Sequence, residues 1–367
     1  MHINYFSITF VILLGLLLGR NGSNSNRRIY IFMCSAVLLF IAAMRSPELT
    51  ATNFGIDTLA YRDYFEKSFD MSWDEFWTLA YKRYFMRDGD GDIGFMGLVK
   101  VIGFFTHDFA VYSLIADLIF FIPFGVLLYR YCDRIIQITF AFVFYISLLQ
   151  VFFLGGGRQM FAIGFDLMAL LATFDGRKGR AFIFALIAIS IHFSALLFLI
   201  PLIMIWSDVR ANTLKVAHLI CLFVFPLVLA FPNQLIVFMG ESVGMEKYAD
   251  YGKHAIVGGT WTFIFLIFVL SVFCYIAIKQ KHLLQSRTLR NFYVMAPFMT
   301  FFAPLIRSNG SMIRISLFFH LFLAVLVPYG IDCMFINNRR RGYLIAIGAL
   351  SFLAILNSGA EYYFHWQ

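Results

Sequence analysis

Long apolar runs such as AFIFALIAISIHFSALLFLIPLIMIW, residues 181–206, recur along this chain and constrain its fold more than any other feature. A helix that crosses a bilayer needs roughly 17 to 25 mostly apolar residues. Clear spans of this kind fall near 3–19, 29–44, 109–129, 135–154, 216–239, 261–278, 315–335 and 342–357, with shorter ones at 159–174 and 291–306. With 61% hydrophobic residues, 46 Phe and 14% charged residues, the chain departs far from the half-apolar, quarter-charged soluble average. It is expected to be all-α, a single integral membrane domain over residues 1–367 with no soluble domain. The opening MHINYFSITFVILLGLLLG has neither a basic leader nor a small-residue cleavage site, so it is expected to remain as a helix. The cysteines at 34, 132, 221, 274 and 333 form no CxxC. Neither a disulfide framework nor a metal or cofactor site is predicted.

Two segments resist a simple count of spans. IGFMGLVKVIGFF (93–105) is short and carries Lys100 at its centre, and 181–206 is interrupted by His192 and Ser194. Charge arbitrates between the readings. If 93–105 lies in the interface and 181–206 is a broken pair of half-helices, then Arg20/Arg27/Arg28, Arg130/Arg134, Arg177/Lys178/Arg180, Arg210/Lys215, Lys279/Lys281/Arg287/Arg290 and Arg339/Arg340/Arg341 all fall on one side. That is what the positive-inside rule requires. The net charge of +8 is thus read as topology and not as a nucleic-acid surface. The resulting expectation is about 12 crossings, counting the half-helices, in the inner (cytoplasmic) membrane. Residues 45–106 then form a periplasmic loop with juxtamembrane helices. Within it, Trp73, Phe76, Trp77, Tyr81, Tyr84 and Phe85 recur at helical spacing, which suits a helix lying among lipid headgroups.

The polar candidates cluster on that outer side. Asp57, Tyr61, Tyr64 and Phe65 share a face of a short helix, where Asp57 is either a presented carboxylate or an N-cap. Arg158 in LGGGRQMF lies between two spans, as a ligand-facing guanidinium beside flexible glycines or as a snorkelling anchor. His192 sits at the proposed helix break, either as a packing residue or in a cavity. Arg307 and Arg314 flank SNGSMI, aimed at one phosphate group or anchored at the interface. DGDGD (88–92) lacks the Gly and the Glu of a calcium loop and reads as a solvated turn. Asp117 and Asp166 lie within spans, as structural groups or as proton carriers.

Taken in order, Arg45, GIDT, Tyr61 and Phe65, DIGF (92–95), GGGRQMFAIGF, IHFSALLFLIPL and RISLFFHLFLAVLVP resemble the EpsG family of membrane polysaccharide polymerases over about residues 45–330. The resemblance implies a Wzy-like O-antigen, capsule or exopolysaccharide polymerase with a GT-C-like glycosyltransferase architecture. It implies a lipid-phosphate site formed by an early outer loop, juxtamembrane helices and a broken helix. The family's Glu-Pro before Gly-Phe is replaced here by Asp92-Ile93, which keeps a carboxylate one methylene shorter. Roles carry over to Arg45, Asp57, Tyr61, Asp92, Arg158, Gln159, His192 and Arg314; Arg307 is added from the charge pattern. The implied reaction moves a growing glycan from undecaprenyl pyrophosphate to a lipid-linked repeat unit. Asp57, Asp92 or His192 would act on the acceptor, and Arg45, Tyr61, Arg158, Gln159, Arg307 and Arg314 would hold substrate and pyrophosphate. The expected partners are the bilayer and an undecaprenyl-pyrophosphate-linked oligosaccharide, with room for a chain-length regulator and none for nucleic acid. The rival class is a lipid-linked oligosaccharide flippase, which would use Asp117 and Asp166 but should show a two-halved repeat that the sequence lacks. An acyltransferase with His192 as base is a third reading, with no acyl-donor feature behind it.

Overall fold

The computed structural model describes residues 3–19, 23–46, 56–86, 92–155, 157–242, 261–280, 286–309 and 312–356, with no strand among them. The chain divides into two compact units, Met1–Leu196 with Ala346–Gln367, and Leu197–Ile345. The first holds α1 (Ile3–Leu18), α2 (Asn24–Ala43), α3 (Ile56–Asp70), α4 (Trp73–Tyr81), α5 (Ile93–Phe105) and α6 (Phe109–Tyr131). Next come α7 (Ile135–Phe144), which runs through a π-turn at Tyr145–Leu149 into α8 (Gln150–Gly155), then α9 (Gly157–Phe174) and α10 (Lys178–Ile191). After the break at His192 follow α11 (Leu196–Trp206), α12 (Ala211–Ala230), α13 (Pro232–Ser242) and α14 (Trp261–Gln280). The chain continues through α15 (Arg287–Tyr293), α16 (Met295–Phe302), α17 (Ile313–His320), α18 (Leu323–Met334) and α19 (Arg339–Leu356).

Among the described residues, six helical stretches are long and apolar enough to cross a membrane. These are Asn24–Ala43, Phe109–Tyr131, Ile135–Phe153, Ala211–Ala230, Trp261–Ile278 and Arg287–Arg307; α17 and α18, bent by 46° at their junction, make a seventh if counted as one span. The other segments read as spans are shorter or more polar. α1 has 16 residues, α10 has 14 and α11 has 11; α9 carries Arg158 and Asp166, and α19 opens on three arginines. Two boundaries are corrected. The span read at 216–239 is α12, which starts at Ala211 and stops at Ala230, because Pro232 disfavours helical backbone at Phe231 and is itself suited to open α13. The short span at 291–306 is the middle of the longer run Arg287–Arg307.

In the first unit α9 packs on α10 and α6, and α6 packs on α2. Several of its basic residues gather at one end. The buried Arg27 donates to the Cys132 carbonyl at 2.7 Å and to the Tyr129 carbonyl, satisfying the orphan C-terminus of α6. Arg28 donates to the Tyr129 hydroxyl at 3.0 Å, and Arg130 pairs with Asp175 beyond α9 at 2.7 Å. The opposite end carries the end of α2 and the starts of α5, α6 and α9. There Phe65 of α3 packs on Tyr112 of α6, and Tyr112 packs on Phe161 of α9.

The 13-residue α5 begins at this end, and so does α6 after it. At 1.5 Å per residue α5 is about 20 Å long, too short for a hydrocarbon core of roughly 30 Å. Lys100 at its centre is held by the Met71 carbonyl and lies 4.9 Å from the Trp73 ring centroid. On α4 and the π-helical turn Lys82–Met86 that continues it, the aromatic face is divided. Trp73, Trp77, Tyr81 and Phe85 are exposed, whereas Phe76 turns inward with Ala80 and Ile93. Tyr84's side chain and residues 88–91 of DGDGD lie outside the described residues.

Candidate functional site

Three residues from separate stretches of sequence meet at this end of the first unit. Asp92 stands at the N-cap position of α5, yet its side chain makes no capping hydrogen bond. Its Oδ2 instead accepts from Arg158 Nη1 at 3.1 Å and faces His192 Nδ1 at 3.4 Å. Arg158 comes from the first turn of α9, which Gly157 opens, and His192 from the extended residue that ends α10. The side chains are partly exposed, at 19% for Asp92, 24% for Arg158 and 14% for His192. A carboxylate facing Nδ1 favours the tautomer that keeps the proton there and puts the ring's lone pair on Nε2, an atom that is itself buried.

Close packing makes this meeting possible. A Cβ built on Gly94 would lie 2.2 Å from Ser190 Oγ and 2.5 Å from the Ser190 carbonyl carbon. Only a glycine in DIGF lets the first turn of α5 lie against α10 two residues before His192. At Gly157 a Cβ would stand 3.1 Å from the Tyr61 ring. Tyr61 is buried there, edge-on to Phe95 with centroids 5.7 Å apart. The Arg158 guanidinium lies 6.0 Å from the Tyr61 centroid and 5.8 Å from that of Phe95. This aromatic seat holds the cation beside its carboxylate. Sequence reasoning did not single out Phe95, although its place one helical turn after Asp92 was the available signal.

The remaining candidates are distributed differently. Arg45, buried just past α2, donates from Nη2 to the Thr58 hydroxyl at 2.6 Å and so ties α2 to α3. Asp57 lies in the first turn of α3, and its side chain is outside the described residues. Tyr64 is exposed and packs edge-on to Phe95. Gln159 is buried on α9. Arg307 and Arg314 belong to the second unit. There Arg307 Nη1 donates to the Leu229 carbonyl in the last turn of α12 at 2.7 Å, and its guanidinium lies 4.9 Å from the Trp261 centroid. Arg314 lies in the first turn of α17.

The cluster at Asp92 thus combines an oriented imidazole, a guanidinium on aromatic rings and a shared carboxylate. It can accept a proton and face an anion at one place. Comparison with curated proteins and with solved structures gives no match. The model of the EpsG family matches residues 28–366, nearly the whole chain, and the protein belongs to the EpsG family.

Proposed function

We propose that this multi-pass membrane protein of polysaccharide biosynthesis is a polymerase that transfers a growing glycan from undecaprenyl pyrophosphate to a lipid-linked repeat unit. The observation that carries the reading is the bridging of Arg158 and His192 by Asp92. The acceptor hydroxyl attacks C1 of the donor sugar, the bond from C1 to the pyrophosphate oxygen breaks, and that oxygen leaves with the electron pair. The acceptor's proton passes to His192 Nε2, Asp92 steadies the imidazolium, and the Arg158 guanidinium faces the leaving charge. A pyrophosphate leaving group stores the driving force, so no nucleotide site is needed.

The proposal includes the membrane frame. We read the end carrying Asp92, Arg158 and His192 as periplasmic, because Arg27, Arg28 and Arg130 gather at the other end of the first unit. The twelve-crossing, GT-C-like scheme treats the shorter helices α1, α9, α10, α11 and α19 as completing the bundle around the full-length spans.

The test is incubation of the purified chain with lipid-linked repeat units extracted from its host, read as a ladder on a gel. Wild type should form the ladder, and Asp92→Asn and Asp57→Asn should be compared at equal protein. A full ladder from Asp92→Asn together with loss in Asp57→Asn would move the catalytic carboxylate to GIDT. Transbilayer movement of the same lipid without any ladder would favour the flippase instead.

A further inference from the structure

Next to the Asp92 cluster, on the far side of Tyr61, the first unit holds a small, partly open pocket of about 40 Å³. Its polar lining includes Arg45, Thr58, Tyr112, Ser113 and Asp117, and Phe109 and Phe153 supply apolar walls. Tyr61 lines it too and is the partition shared with Arg158. Tyr112 is 2% exposed, and its hydroxyl has no hydrogen-bond partner among the described residues. Buried hydroxyls are nearly always paired, so one left over beside a cavity points to an occupant.

The lining also selects what the occupant is. Arg45 and Asp117 face the same space, so an isolated anion would meet the carboxylate and an isolated cation the guanidinium. A neutral group that both donates and accepts satisfies both: its hydroxyl hydrogen goes to Asp117 and its oxygen receives from Tyr112 or Arg45. One water needs about 10–15 Å³ of such space, so the pocket admits a group of a few heavy atoms and no pyranose ring. Aromatic walls suit the CH₂ that carries such a hydroxyl.

We propose that this pocket is a sugar subsite that receives the exocyclic hydroxymethyl group of one hexose while the ring stays at its mouth. The assignment rests on the polymerase reading for its substrate class, and it makes Asp117 and Tyr112 specificity-determining residues that contact the sugar but not the reacting atoms.

The experiment uses the full chain in lipid nanodiscs and saturation-transfer NMR with methyl glucopyranoside, methyl galactopyranoside and their 6-deoxy counterparts. Transfer should concentrate on the C6 protons of the hydroxymethyl sugars and be weak for both 6-deoxy sugars. Asp117→Asn and Tyr112→Phe should each weaken binding about fivefold, the equivalent of one ordinary hydrogen bond. Ala116→Val fills the pocket without altering a polar group and should abolish the C6 signal, which keeps the test independent of any folding defect in the polar variants. Equal transfer to the 6-deoxy sugars, or a C6 signal unchanged by Ala116→Val, overturns the subsite. Ladder formation is scored separately. A ladder without C6 contact removes the subsite alone, and C6 contact without a ladder removes the polymerase reading alone.

Discussion

The two units each contain a histidine in a polar cluster, and the clusters are built on opposite plans. In the second unit His218 is fully buried, with Nδ1 2.6 Å from the Tyr293 hydroxyl and Nε2 2.8 Å from the Ser271 hydroxyl. Thr300 lies 3.1 Å from the same Nε2 and donates to the Ala296 carbonyl at 2.8 Å, while Ser271 and Thr300 are themselves hydrogen-bonded. One assignment of protons satisfies the whole chain. Tyr293 donates to Nδ1, Nε2–H donates to Ser271, Ser271 to Thr300, and Thr300 to the backbone. The network is closed and ties α12, α14, α15 and α16 together. His192 instead belongs to a partly exposed group at the ends of helices, where a carboxylate, a guanidinium and an imidazole share one oxygen. A closed buried network fixes packing, whereas an open one at a helix break leaves capacity for a substrate.

If that contrast is right, substitutions in the two clusters should fail in different ways. The largest effect is expected at His192 and Asp92. His192→Asn and Asp92→Asn should lower ladder formation by on the order of 10²- to 10⁴-fold, as for loss of a positioned base. Both proteins should elute and melt as wild type does. A parallel loss of thermal stability would show that the Asp92 cluster is a packing network after all.

Arg158→Lys comes next. Lysine keeps the charge but loses the planar fork, and loss of a charge-assisted hydrogen bond is worth about 1.5–3 kcal/mol, or roughly 10- to 150-fold in rate. A steady-state ladder assay that finds the wild-type rate in Arg158→Lys removes this residue from the leaving-group site.

In the second unit the expected loss is of stability. His218→Leu should destabilise the protein by about 1–3 kcal/mol for each hydroxyl it leaves unpaired. Activity per folded molecule should be unchanged. Thermal unfolding in detergent, set beside the ladder from the folded fraction, checks both; a catalytic loss without a stability loss would collapse the contrast between the units.

The open cluster was readable in pieces. Lys100 within a short apolar stretch announced a helix shorter than a full span, and His192 with Ser194 announced the break after α10. Arg158 and His192 were singled out from local cues, and Asp92 through the family resemblance of DIGF. That they share an oxygen was not readable, because the contacts join residues 66 and 100 positions apart and depend on Gly94 closing on Ser190. The contact of Arg307 was not readable either, because it reaches the carbonyl end of α12 from 78 residues away. The closed network was missed altogether. A single His, Ser or Thr inside an apolar run has no local signature, and the network draws its members from four helices. The intramembrane position of His218 was the one signal available.

The smallest effect isolates closure from burial. Ser72 and Glu75 at the start of α4 form a capping box, in which the Ser72 amide donates to Glu75 Oε2 at 2.7 Å and the Glu75 amide donates to Ser72 Oγ at 3.1 Å. This pair is as reciprocal as the His218 network but lies at the surface. The Ser72 backbone amide, and then its hydroxyl, hold the Glu75 carboxyl below its ordinary range. A carboxyl whose folded value is depressed contributes stability above its unfolded value, about 4.3 for glutamate, and that contribution is lost as pH falls below it through the folded value. Hydrogen-exchange protection at the Ser72 and Glu75 amides, corrected for intrinsic rates, should therefore fall in that acid window. Glu75→Gln keeps the reciprocal geometry without the charge, so its protection should be lower at neutral pH, stay flat through the window and meet wild type at the acid end. Global melting and ladder formation should not change. If Glu75→Gln lowered the melting temperature as much as His218→Leu, closure alone would account for stability, and the distinction between the two histidine clusters would have to rest on exposure of the reacting groups instead of on burial of the network.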